Sequence, residues 1–132
     1  MATLYLDSSA IVKLVSAELE SFALFEFLQS YDERLSSVLA RVEVHRAVRR
    51  ARGTAAERRR AEQVLARISL LRMDDPILAL ASRVSPPNLR SLDAIHLATA
   101  LSVGDAIAGL VTYDDRLAQA ADTARLPVFA PA

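Results

Sequence analysis

Two short apolar segments, each followed closely by an aspartate, constrain the fold of this chain most strongly. Residues 3–6 lead into Asp7, and residues 107–112 lead into Asp114. A continuous apolar run such as residues 107–112 is typical of a strand covered on both faces, as in a parallel sheet. The ligand crevice of an open parallel sheet lies outside the carboxyl ends of its strands. If the two strands are neighbours where the strand order reverses, both carboxylates face one crevice.

Segments with strand and helix patterns alternate along the chain. Strands are predicted at residues 3–6, 34–37, 68–73, 107–112 and 127–129, and helices at residues 10–15, 18–29, 39–52, 54–67, from 74 onward, 92–103 and 114–122. Ser8 and Ser9 are predicted to cap the first helix, Ser91 is predicted to cap a later one, and Gly53 is predicted to end another. This alternation favours an α/β fold with a parallel sheet and helices on both faces.

The length and composition predict one domain over residues 1–132, since 52% hydrophobic residues can supply one sizeable core. The absence of Cys excludes disulfides and thiolate metal sites. No apolar run approaches the roughly 18–20 residues that span a bilayer. The first residues have no basic start and no signal-type apolar region, so a cytoplasmic protein without a membrane partner is expected.

A net charge of zero conceals a marked division along the chain. Residues 34–72 contain eleven Arg and three Glu, a net charge of +8, and the remainder carries −8. An acidic part attracts cations, and a basic part can bind a polyanion. The division fits a protein that binds both metal ions and nucleic acid, and it also fits solvated helix faces on an ordinary protein.

Two further acids stand where neutral residues are expected. Glu43 lies within an apolar-patterned helix, and Asp93 lies in the first turn of a helix that is otherwise almost uncharged. Carboxylates that share a crevice repel each other unless a cation compensates them. Oxygen-only ligands suit Mg²⁺ or Mn²⁺, and such ions can activate water for phosphodiester cleavage.

Each acid also has a purely structural interpretation. Asp7 or Asp114 can serve as a helix cap, and Asp93 can be a first-turn acid favoured by the helix dipole. Glu43 can pair with an arginine such as Arg46 on the helix surface.

Four segments of the chain together resemble the PIN domain, and within it the VapC-type toxins of bacterial toxin–antitoxin modules. They are Leu4-Tyr5-Leu6-Asp7-Ser8-Ser9-Ala10, the mid-helix Glu43, the run Ser91-Leu92-Asp93-Ala94-Ile95-His96-Leu97-Ala98-Thr99-Ala100, and Val111-Thr112-Tyr113-Asp114-Asp115-Arg116-Leu117. The resemblance covers residues 3–129. It implies a three-layer α/β/α fold with a central, mainly parallel sheet of four to five strands, and it implies a metal-dependent endoribonuclease that acts as a toxin.

The resemblance also assigns residues to the implied site. The catalytic and metal-binding positions, which hold one or two Mg²⁺ or Mn²⁺ ions, are Asp7, Glu43, Asp93 and Asp114. Thr112 and Ser8 support these acids. Asp115 can be a second supporting acid or the fourth ligand itself, and the Thr-x-Asp spacing from Thr112 favours Asp114 for that role.

The implied partners are an RNA substrate, a second copy of the chain and a cognate VapB-type antitoxin. Arg46, Arg49 and Arg50 follow Glu43 on its helix and can bind phosphates that flank the cleaved bond. The run of residues 58–60, all arginine, is interpreted as a solvated face or a partner contact.

Three alternatives stay open. A metal-free ribonuclease can use a histidine pair as acid and base, and the chain has His45 and His96. The chain can also be a PIN-like module that binds RNA or protein without cutting, or a PIN nuclease of RNA processing outside a toxin–antitoxin pair. A histidine mechanism survives EDTA and leaves a cyclic phosphate, whereas a metal mechanism stops in EDTA and leaves a 5′-phosphate.

Overall fold

The computed structural model describes residues 2–132, and its centre is a sheet of five strands that are all parallel. The strands are β1 (Thr3–Leu6), β2 (Glu33–Ser37), β3 (Ser69–Leu71), β4 (Gly109–Val111) and β5 (Val128–Phe129), in the spatial order β3-β2-β1-β4-β5. The predicted α/β class with a parallel sheet is therefore confirmed, and all five predicted strands form.

In the part of the chain that the structure describes, seven α-helices connect the strands and cover the sheet. They are α1 (Ser8–Val15), α2 (Ser21–Leu28), α3 (Leu39–Arg50), α4 (Ala55–Ala66), α5 (Asp75–Ala81), α6 (Ser91–Val103) and α7 (Asp115–Thr123), and a 3₁₀ turn spans Gly104–Ala106. Within residues 2–132, no helix is long and apolar enough to cross a membrane.

Alternate side chains of β1 enter two separate cores, because successive strand residues point to opposite faces of a sheet. Leu4 and Leu6 pack with buried residues of α1 to α4, whereas Tyr5 packs with residues of α6 and α7. All three side chains are fully buried. The central strand is therefore covered on both faces, which accounts for its uninterrupted apolar sequence.

The strand order reverses between β1 and β4. The chain first adds β2 and β3 on one side of β1, and it then returns through α5 and α6 to form β4 on the other side. Leu4 pairs with Gly109 and Leu6 pairs with Val111, so the two strands end level with each other. The carboxyl ends of β1 and β4 therefore open together at the topological switch point, where α/β sheets bind ligands.

Two predicted helix caps are wrong. Asp7, rather than Ser8 or Ser9, is the N-cap of α1, and its side chain accepts a hydrogen bond from the backbone N–H of Ala10. Ser91 is the first residue of α6, whose N-cap makes no side-chain hydrogen bond. A cap assigned from residue type alone can thus be one residue off, because several capping residues compete at the same helix start.

Gly53 ends the turn after α3, but for a different reason from the one predicted. Arg52, not Gly53, adopts the left-handed conformation with φ of 55°. The Gly53 N–H donates to the Val48 carbonyl at 2.8 Å, and a Cβ at Gly53 would stand 2.5 Å from Val48 Cγ1. Glycine is required here by close approach to α3.

Helix α2 is shorter than the predicted range of residues 18–29. Leu19, Phe22 and Phe25 recur at three-residue intervals, and these apolar residues are 95%, 71% and 54% exposed. Leu24 and Leu28 are the fully buried residues of this helix. The exposed apolar side chains thus form a surface patch.

Candidate metal centre

One crevice beside the ends of β1 and β4 brings together the four acids that the sequence singled out. Asp7 follows β1, Glu43 lies on α3, Asp93 lies in the first turn of α6, and Asp114 follows β4. These carboxylates line a cavity of about 270 Å³, together with Ser8, Ser9, Val12, Arg50 and His96. Four segments that are far apart in sequence therefore meet at the switch point of the sheet.

Asp7 is the most deeply placed acid, and three donors orient it. Its Oδ1 accepts hydrogen bonds from Ala10 N at 3.0 Å and Ser9 Oγ at 2.7 Å, and its Oδ2 accepts one from Thr112 Oγ1 at 2.6 Å. Burial raises the pKa of Asp7, and the hydrogen bonds, Thr112 first among them, offset only part of that increase. The carboxylate is thus rigidly positioned but incompletely compensated.

Asp93 is half-buried, and its environment disfavours its charge. Burial raises the pKa of Asp93, and the charges of Asp114 and Asp7 raise it further. Asp114 is the N-cap of α7 and accepts from Leu117 N at 2.9 Å through Oδ1. Mutual repulsion among these acids is the electrostatic condition that a bound cation relieves.

Glu43 is fixed by side chains from two other elements. Its Oε1 accepts a hydrogen bond from Ser8 Oγ at 2.5 Å and lies 2.7 Å from His96 Nε2. The alternative of a surface pair with Arg46 is therefore not what the structure contains. Burial by itself would raise the pKa of Glu43, but the hydrogen bonds from His96 and Ser8 outweigh it and hold the pKa below its ordinary value.

The donor set of the crevice fits a hard divalent cation. It offers carboxylate and hydroxyl oxygens. Within residues 2–132, none of Asp7, Asp93 and Asp114 forms an ion pair with a basic side chain. Across the same residues, no three His, Asp or Glu side chains stand in the close arrangement of a preformed metal site. The four acids line one crevice, but they do not stand close enough together to form such a site.

The predicted supporting residues fall in two different places. Thr112 donates to Asp7 and accepts from the backbone N–H of Asp114 at 3.1 Å, so it connects two of the acids. Ser8 binds Glu43 as described above. Asp115, in contrast, is exposed at the start of α7 and does not line the crevice.

The three arginines predicted to bind RNA lie together beside the crevice. Arg46, Arg49 and Arg50 are exposed and line a cavity of about 240 Å³. Arg50 also lines the acidic crevice, so the two cavities adjoin. A cationic surface therefore borders the carboxylates.

His96 and Tyr5 were not among the acids and supporting residues assigned from the sequence, but the structure connects both of them to the site. His96 is 1% exposed and contacts both Glu43 and Tyr5. Its position one turn after Asp93 was the only signal in the sequence. His45 instead pairs with Glu62 at 3.2 Å and so connects α3 to α4, away from the crevice.

Comparison with known proteins agrees with this geometry. The PIN-domain family profile matches residues 4–123. The chain therefore belongs to the PIN-domain family, as its sequence motifs predicted.

Curated relatives place the chain more narrowly. It is 50% identical over 131 residues to Ribonuclease VapC46 of Mycobacterium tuberculosis, with 99% of both chains covered. It is 42% identical to Ribonuclease VapC35 of the same species, with 97% of this chain and 96% of that protein covered. Within the PIN-domain family, the chain belongs to the VapC ribonucleases.

Solved structures show the same fold at low sequence identity. The crystal structure of Mycobacterium tuberculosis VapC20, described as a sarcin–ricin loop cleaving toxin, superimposes with a TM-score of 0.75 at 16% identity, covering 97% of this chain and 99% of that one. A toxin–antitoxin complex from Klebsiella pneumoniae gives a TM-score of 0.70 at 20% identity, covering 100% and 98%. The three-layer arrangement is therefore that of VapC structures.

Proposed function

We propose that the chain is a Mg²⁺- or Mn²⁺-dependent endoribonuclease and that Asp7, Glu43, Asp93 and Asp114 form its catalytic metal centre. As a VapC ribonuclease, it is the toxin of a type II toxin–antitoxin module. The convergence of all four acids on one crevice carries the proposal about the site. We further propose that residues 1–132 act as one domain in the cytoplasm, where RNA substrates are available.

The four acids have different roles at the proposed metal centre. Asp7 and Asp114 hold the cation from two adjacent strand ends, and Asp93 approaches from the N-terminus of α6. Glu43 completes the set directly or through a water. When bound, the cation supplies Lewis acidity, which activates water for attack and stabilises the leaving oxygen.

Arg46, Arg49 and Arg50 bind the substrate backbone in this proposal. They are exposed, lie side by side and adjoin the acidic crevice through Arg50. Contacts to phosphates on either side of the cleaved bond place that bond over the carboxylates. Such contacts release counterions and make binding salt-dependent.

Cleavage of a defined RNA in Mg²⁺, in Mn²⁺ and in EDTA tests the proposal. Asp7→Asn is the informative variant, because Asn caps a helix as well as Asp does and therefore keeps α1 intact. We expect wild-type cleavage in either metal, a 5′-phosphate product, no cleavage in EDTA and a loss of at least 100-fold in Asp7→Asn.

The other outcomes identify the alternatives. Cleavage that persists in EDTA with a cyclic phosphate product would indicate a histidine mechanism. RNA binding without cleavage in either metal would indicate a binding module. Cleavage at the wild-type rate by Asp7→Asn would contradict the assignment of the site.

We propose a VapB-type antitoxin as the protein partner, docked on the patch of Leu19, Phe22 and Phe25. A cavity of about 620 Å³ adjoins this patch, and Phe25 and three arginines, Arg34, Arg60 and Arg67, help to line it. An apolar patch beside uncompensated positive charge suits a partner segment that carries apolar and acidic side chains. Phe22→Glu is expected to weaken capture of the co-expressed antitoxin without reducing RNA cleavage.

We also propose that the chain forms a homodimer. Sedimentation of the purified protein tests this assembly independently of the antitoxin, and a monomer at micromolar concentration would contradict it.

A further inference from the structure

His96 occupies a position that the four-acid site does not explain. It lies on α6 one turn after Asp93, and its side chain is 1% exposed. Both ring nitrogens have partners: Nδ1 lies 2.8 Å from the Tyr5 hydroxyl, and Nε2 lies 2.7 Å from Glu43 Oε1. The imidazole thus connects the central strand of the sheet to an acid on α3.

The partners fix which nitrogen carries the proton. A carboxylate can only accept a hydrogen bond, so the Nε2–H of His96 donates to Glu43. In the neutral ring, Nδ1 then accepts the hydrogen of the Tyr5 hydroxyl. Tyr5 is fully buried, and burial raises the pKa of its hydroxyl, so this donor stays protonated.

The hydrogen bonds to Glu43 are concentrated on one of its oxygens. Ser8 Oγ and His96 Nε2 both contact Oε1, and Oε2 makes no hydrogen bond with residues 2–132. A glutamate on a helix surface has several rotatable bonds and would otherwise sample many positions. Two donors on Oε1 restrict those positions and leave Oε2 available to a cation or a water.

We infer that His96 is the positioning residue for Glu43, and that Tyr5 holds the imidazole in the required tautomer and orientation. This inference rests on the proposed function, since it concerns how the fourth acid is presented to the metal. Groups that orient metal ligands in this way typically change metal affinity by 10- to 100-fold when removed. His96 touches neither substrate nor cation in this role.

Binding of Mn²⁺ to the metal-free protein, measured by titration calorimetry, tests the inference without relying on activity. His96→Asn places its amide nitrogen near the position of Nδ1 and removes the donor to Glu43. His96→Gln extends further and restores an N–H near the position of Nε2. We expect His96→Asn to weaken Mn²⁺ binding by 10- to 100-fold and His96→Gln to stay within about 3-fold of wild type.

A double-mutant cycle separates positioning from a general packing defect. In a Glu43→Ala background, His96→Asn should have no further effect on Mn²⁺ affinity, because the side chain that it positions is gone. Equal losses in both backgrounds would show that His96 acts only through packing and would overturn the inference. A wild-type affinity in His96→Asn itself would overturn it as well.

A spectroscopic measurement on the metal-free protein provides a second test. Nitrogen NMR of the imidazole is expected to show the proton of His96 on Nε2, and Glu43→Ala is expected to shift that signal. A proton on Nδ1 would overturn the inference while leaving the proposed function intact. A wild-type protein that neither binds Mn²⁺ nor cleaves RNA would overturn the proposed function, and the inference would fail with it.

Discussion

Thr112 Oγ1 lies 2.6 Å from Asp7 Oδ2, and this hydrogen bond joins the carboxyl ends of two adjacent parallel strands. The same hydroxyl accepts the backbone N–H of Asp114. One buried side chain therefore sets the relative positions of two acids that are more than 100 residues apart in sequence.

Thr112→Val keeps the shape of this side chain and removes both hydrogen bonds. It leaves a buried carboxylate oxygen and a backbone N–H without their partner, which typically costs about 1–3 kcal/mol. Urea unfolding of the metal-free protein should show this loss. Thr112→Ser retains the hydroxyl and is the matched control, so similar midpoints for the two variants would contradict the assigned role.

Asp93→Asn is expected to stabilise the metal-free protein while it abolishes cleavage. The substitution removes a charge that burial and three neighbouring carboxylates disfavour. Substitutions that remove unfavourable charge commonly contribute about 0.5–2 kcal/mol. Thermal unfolding at pH 7 without metal measures the change, and a lower melting temperature in Asp93→Asn would contradict the electrostatic account.

The stability advantage of Asp93→Asn should depend on pH with a definite sign. The pKa of Asp93 is raised in the folded state, so its charged form is penalised there and is unpenalised in the unfolded chain. The advantage is therefore full above the folded-state pKa, and it falls with pH to near zero below the unfolded value of about 3.9. Unfolding of both proteins between pH 3 and pH 8 measures this difference, and an advantage that grows as the pH falls would contradict it.

Mn²⁺ should raise the melting temperature of the wild type, because a ligand that binds only the folded state stabilises it, by about 2.7 kcal/mol at 100 times its dissociation constant. Asp114→Asn should reduce this effect strongly, although Asn still caps α7. The adjacent Asp115→Asn is the matched control and should respond like the wild type, since Asp115 is exposed outside the crevice. A reversed order would assign the fourth carboxylate to Asp115.

Arg49→Ala is expected to weaken RNA binding and to flatten its salt dependence. Removal of one phosphate contact lowers the slope of log affinity against log salt by about 0.7 for single-stranded nucleic acid. Arg59→Ala, at an exposed position on α4, serves as the control and should keep the wild-type slope. Equal slopes for all three proteins would remove Arg49 from the RNA surface.

The parts of the fold that the sequence predicted are those with short-range signals. Local sequence patterns located all five strands, and Thr54, at the predicted start of a helix, caps α4 and forms reciprocal hydrogen bonds with Glu57. The cap of α1 was misassigned because Asp7, Ser8 and Ser9 all have capping side chains. The choice among them depends on backbone geometry that the residue types do not encode.

The parts that escaped prediction depend on contacts between distant segments. The exposure of Phe22 and the contact between His96 and Glu43 are set by how helices pack on the sheet. His96 and Glu43 are 53 residues apart, so their contact produces no periodic pattern in the sequence. The four acids were recognised because each interrupts an apolar pattern or follows a strand, which are local features.

Strand β4 lies next to β1 in the sheet but is made long after it, and this order determines when the crevice can form during synthesis. Asp114 and the strand before it are made more than 100 residues after Asp7. At translation speeds of about 5–20 residues per second, Asp114 is synthesised roughly 5–20 s after Asp7. The crevice is therefore incomplete until β4 and the residues after it have been made, and a chain interrupted before β4 lacks both Thr112 and Asp114.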